Sequence, residues 1–69
     1  MIHEGYKIEL KGWYGDYEDC VAVFTITHPN GKVVEDNRFG CATKKGFMRT
    51  SIYGMKIKVD LVSGKVQLA

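Results

Sequence analysis

The chain has 69 residues, 45% of them hydrophobic and 12% aromatic, a composition that fits one small folded domain over residues 1–69 and argues against disorder. Net charge is +2 but unevenly placed: residues 1–36 carry three lysines against seven acids, −4, and residues 37–69 carry seven cations against one acid, +6. No run of 18 apolar residues exists to cross a membrane, and 2 cysteines are too few for a secreted disulfide framework. His3, Glu4 and Lys7 stand where a signal peptide would need an apolar region. The expected setting is therefore the cytoplasm, with both thiols reduced. A domain this small holds only ~3–5 kcal/mol of net stability unless something else helps.

Residues 5–12 alternate: Tyr6, Ile8 and Leu10 one way, Lys7, Glu9 and Lys11 the other. This predicts a half-buried strand between two glycines. Residues 12–19, GWYGDYED, are placed in a loop or wide hairpin connection, with Gly15-Asp16 as the turn signal. Residues 20–28 are rich in Val, Ile, Thr and Phe and apolar on both faces, which predicts a central strand. Asn30-Gly31 is the strongest hairpin signal, and residues 32–39 form the return strand.

Residues 40–54 fit two readings. As a helix, Thr43 is the N-cap, Gly54 the stop, and Phe47, Met48, Ser51, Ile52 and Met55 share one side. As a strand, Met48, Thr50 and Ile52 alternate against Phe47, Arg49, Ser51 and Tyr53, and Gly46 weakens the helix. The cap signals favour the helix. Residues 55–62 are a clean strand with Met55, Ile57, Val59 and Leu61 facing the core. Ser63-Gly64 turns into a last short strand. The expected fold is thus α+β: a small antiparallel sheet in the order β-β-β-α-β-β with one short helix packed on it. The alternative is a small all-β barrel.

No motif for catalysis or for a cofactor is present, and the expected protein is not an enzyme. His3, Cys20, His28 and Cys41 are zinc-compatible types, but no pair has the short spacing that presets a metal site. No metal and no cofactor are expected.

Two surfaces remain. Trp13, Tyr14, Asp16, Tyr17, Glu18 and Asp19 combine rings, which enrich protein interfaces, with acids that suit a basic groove on a partner. The plainer reading is that Trp13 caps the core. Lys44, Lys45 and Arg49 on the expected helix, with Lys56 and Lys58 on the next strand, would converge as a phosphate-binding face. Phe47 and Tyr53 lie close enough to stack on bases. The plainer reading is a solvated face, or an edge guarded by lysines.

The leading expectation is a non-enzymatic macromolecule-binding protein: a small stand-alone inhibitor or adaptor, of the kind phages carry, that blocks a surface of a protein or complex handling nucleic acid. The alternative is direct nucleic-acid binding through the basic face. A homodimer formed at an open sheet edge is a further expected partner, and a nucleotide-binding oligomer is a third reading.

Overall fold

The computed structural model describes residues 1–16, 19–41, 43–44 and 46–69, and of Cys41 and Lys44 the backbone. The chain forms two antiparallel sheets of four strands each, with no helix among the described residues. The N-terminal sheet is the meander β1 (Ile2–His3), β2 (Tyr6–Gly15), β3 (Cys20–Thr27) and β4 (Val33–Cys41). The C-terminal sheet is the meander β5 (Thr43–Lys44), β6 (Phe47–Ile52), β7 (Met55–Asp60) and β8 (Val66–Leu68). No helix is long and apolar enough to cross a membrane among the described residues.

The two sheets face each other across one core. Ile8, Cys20, Ala22, Phe24 and Ile26 come from the first, and Met48, Ile52, Met55, Ile57, Val59 and Val66 from the second, with Leu61 beside them. β3 shows why. Its even positions are buried and its odd positions half-buried, the period of two that a pleated strand imposes. Among the described residues Phe24 is the largest fully buried side chain, and sealing a ring of that size contributes about 1.5–3 kcal/mol. At the margins β4 comes alongside β6 and β2 alongside β8.

The α+β expectation is overturned in the segment that was read as a helix. Residues 47–52 are a strand in which Met48 and Ile52 are fully buried while Arg49 and Ser51 are exposed. Ile52 and Met55 are register partners, and the residues between them, Tyr53 (φ 49°) and Gly54 (φ 80°), are both left-handed. That is a type I′ hairpin turn. A left-handed glycine also ends a helix, so Gly54 satisfies either reading. The all-β alternative has the right class, but the strands divide into two sheets. Glu4 (φ 50°) and Gly5 (φ 83°) repeat the same turn between β1 and β2.

Two bulges re-aim the N-terminal sheet. Leu10 pairs with Phe24 but Gly12 pairs with Val23, so Lys11 is an extra residue in β2. Parity inverts there: Ile8 and Leu10 face inward before the bulge, and Trp13, opposite Ala22, packs against the core after it. The second bulge lies in β4 opposite Thr25, and the Asn37 side-chain amide pins it by donating to the carbonyls of Phe24 (3.3 Å) and Val34 (2.9 Å). The β3–β4 connection uses Gly31 at φ 89°, while Asn30 accepts from the Lys32 N–H at 3.0 Å through its side chain.

Candidate functional site

Among the described residues the core holds no buried polar or charged side chain. The chemistry that the fold presents is therefore on its surfaces, and three of them carry the residues of interest.

The first is the tip of the β2–β3 hairpin. Trp13 and Tyr14 are strand residues, which corrects their placement in a loop. They point to opposite faces: Trp13 is partly buried against the core, whereas Tyr14, paired with Val21, is 53% exposed. Beyond them Gly15 (φ 102°) pairs with Cys20, and a Cβ on Gly15 would collide with the Asp19 carbonyl oxygen. Asp16 closes the turn. Its carboxylate accepts from the Asp19 N–H at 2.8 Å, and its own N–H donates to the Asp19 carbonyl at 3.2 Å. Asp19 is exposed. Tyr17 and Glu18 lie outside the described residues. The hairpin does not gather Trp13, Tyr14, Asp16 and Asp19 on one face.

The second surface is the outer face of the C-terminal sheet. The register sets Arg49 directly opposite Lys58, Ser51 opposite Lys56 and Phe47 opposite Asp60. Partners in such pairs stand about 4.5–5.5 Å apart at Cβ. The Lys58 ammonium lies 4.2 Å from the centre of the Phe47 ring, a cation–π contact. Arg49 and Lys56 are exposed, Lys58 and Phe47 half-buried. Among the described residues none of Arg49, Lys56 and Lys58 has an acid within ion-pair distance. The acid at hand, Asp60, is occupied: its Oδ1 accepts from the N–H groups of Val62 (2.9 Å) and Ser63 (3.3 Å). Those bonds hold its carboxyl below the ordinary aspartate value. The expected helix bearing Lys44, Lys45 and Arg49 is replaced by this sheet face. Lys44 is a β5 residue in register with Phe47, and Lys45 lies outside the described residues.

Edge protection does not account for these lysines. β7 has β6 on one side and β8 on the other, so Lys56 and Lys58 sit on an interior strand. Lys65 adds an exposed cation that sequence reasoning left out; its carbonyl accepts from the Asp60 N–H at 2.9 Å.

The third surface is a cluster of rings. Tyr6, His28 and Tyr53 form a triangle with centroid separations of 5.4, 5.5 and 5.4 Å. It joins β2 and the end of β3 to the β6–β7 turn. No sequence signal links three residues so far apart; the register of both sheets brings them together. A shallow recess along β4 is lined by the consecutive residues Lys32 to Asp36, and one strand cannot enclose a substrate. No three His, Cys, Asp or Glu side chains converge to hold a metal ion among the described residues. Cys20 and Cys41 are register partners across β3 and β4.

Comparison with protein-family models, with curated proteins and with solved structures finds no match for this chain.

Proposed function

We propose that this chain is a non-enzymatic nucleic-acid-binding domain that uses the outer face of its C-terminal sheet. One observation carries the reading: Arg49, Lys56 and Lys58 share that face with no acid paired to them among the described residues. Cations held this way attract a polyanion and release its counterions on contact. An open sheet face bearing several cations suits a backbone of repeating phosphates better than a single small anion. The setting we infer is the cytoplasm, in keeping with two cysteines rather than a disulfide framework. The inhibitor reading draws less support, because Trp13 turns to the core and the Asp16 carboxylate is engaged by its own turn.

The test is fluorescence anisotropy with labelled mixed-sequence single strands and duplexes at about 50 and 200 mM salt. Wild type should bind, and binding should weaken steeply with salt. Lys56→Gln combined with Lys58→Gln should lower the slope of log K against log salt by roughly 1.4–1.8, about 0.7–0.9 for each lost phosphate contact. An unchanged slope would remove this face from the binding site.

A further inference from the structure

Phe47 lies on the basic face, and Tyr53 lies beyond the face's other end, in the β6–β7 turn, with its ring against Tyr6 and His28. Phe47 starts β6, and Tyr53 occupies the turn at the far end of the β6–β7 hairpin. Arg49, Ser51, Lys56 and Lys58 lie between them. At ~3.4 Å per strand residue the two rings are separated by about 20 Å of backbone.

The two rings are prepared differently. Tyr53 is 52% exposed, yet its ring is braced by Tyr6 at 5.5 Å and His28 at 5.4 Å. A ring already held in place loses little freedom when something stacks on it. Phe47 is half-buried and lies beneath the Lys58 ammonium. A phosphate arriving at Lys58 competes with the ring for that charge. Charge-assisted contact with phosphate is the stronger interaction, so a bound phosphate would draw the ammonium off the ring face.

From this arrangement we infer that the ligand class is single-stranded nucleic acid, laid along the β6–β7 hairpin with one base stacked on Phe47 and another on Tyr53. The inference rests on the nucleic-acid reading above and adds the strand type and the two stacking residues. Unpaired bases can turn toward the sheet and stack, whereas a duplex keeps its bases inside and offers this face only phosphates. A footprint of about 20 Å lies at the short end of the ~4–16 nucleotides that small sheet domains cover. Ring stacking tolerates any base, so binding is largely independent of sequence.

Two variants remove the rings and keep the strands. Phe47→Leu retains apolar bulk without a π-face. Tyr53→Asn suits the left-handed turn position, since Asn adopts positive φ readily. Wild type and both variants are titrated with a short labelled oligothymidylate, with a duplex of equal length and with heparin. Circular dichroism and a thermal melt establish that each variant folds. The expected result is tighter binding of the single strand than of the duplex, and a loss of roughly fivefold or more in single-strand affinity for each variant. Duplex and heparin binding should stay within about twofold, since these ligands meet only the cations. Ring-proton shifts of Phe47 and Tyr53 in wild type, on adding the oligothymidylate, give the same readout without a substitution. Equal binding of strand and duplex, or ring variants that bind the strand as well as wild type, would overturn the stacking inference and leave nucleic-acid binding standing. No binding of strand, duplex or heparin would overturn both.

Discussion

The two sheets treat their surface charges differently. On the N-terminal sheet two cations are answered by acids, Lys7 by Glu9 at 3.6 Å and Lys11 by Asp36 at 3.0 Å, while the exposed Arg38 of β4 stands opposite Val23 with no acid within ion-pair distance among the described residues. On the C-terminal sheet, Arg49 faces Lys58 in register, Lys56 follows on the same face, and Asp60 is turned into its own loop. Like charges directly opposite each other cost up to about 1 kcal/mol, as much as a good pair contributes. The inner faces do not differ in this way, because both supply apolar side chains to one core. Folding therefore accounts for the inner face of each sheet, whereas the like-charge pair in register is a feature of the outer face of the C-terminal sheet. The cation–π contact of Lys58 with Phe47 offsets part of that cost and leaves Arg49 and Lys56 without a partner of either kind among the described residues, and a surface that breaks a local rule in this way is where a function is to be sought.

The largest expected effect tests whether binding follows that face or only net charge. Arg49→Glu with Lys58→Glu should weaken nucleic-acid binding by about tenfold or more at physiological salt. Lys7→Glu with Lys11→Glu makes the same change in formal charge on the other sheet and should change it by no more than about threefold. Equal losses, measured by anisotropy, would mean that only overall charge matters and that the two sheets are not functionally distinct. Smaller effects of opposite sign are expected in stability. Arg49→Glu replaces a repulsion with an attraction opposite Lys58, keeps the Lys58–Phe47 contact, and should stabilise by about 0.2–1 kcal/mol. Lys11→Gln removes the pair with Asp36 and should destabilise by about 0.2–1 kcal/mol. Urea melts at low salt read both, and high salt should shrink them.

Particular residues show what could be read from the chain before its structure. Met55, Ile57 and Val59 are buried, as their alternation implies, because nothing interrupts the period of two in β7; the strand ends at Asp60, short of the expected residue 62, and Leu61 is buried just beyond it. The Asn30-Gly31 hairpin is also where its residues place it, although only Gly31 supplies the positive φ. The helix expected over residues 44–53 failed for a definite reason. Met48, Ile52 and Met55 fit helical spacing, and Met48, Thr50 and Ile52 fit strand spacing, so periodicity alone could not decide. Gly54 then added a signal common to both. The inward turn of Trp13 had a cue in Gly12, since a glycine inside a strand often marks a bulge. For the site, the cations and rings could be named in advance, but the pairing of Arg49 with Lys58 and the Tyr6–His28–Tyr53 triangle come from register. Register depends on turns and bulges that composition does not encode.

The smallest effect asks whether Asp60 serves its turn or its neighbouring cations. Its carboxyl is lowered first by the hydrogen bonds from the Val62 and Ser63 backbone, with the Ser63 side chain and the charge of Lys58 contributing less. A carboxylate that is more acidic folded than unfolded contributes stability above its unfolded value, near 3.8 for an ordinary aspartate. That contribution is lost as pH falls through the folded value. Asp60→Ala should therefore melt below wild type at neutral pH, and the gap should close as pH is taken below 3.8. Lys58→Gln should leave this pH dependence nearly unchanged, because the backbone bonds that produce it remain. If Lys58→Gln instead abolishes the pH dependence, Asp60 acts as the counter-ion of Lys58. The outer face of the C-terminal sheet would then carry an acid–cation pair as the other sheet does at Lys7 and Lys11, and the contrast between them would be lost at Lys58.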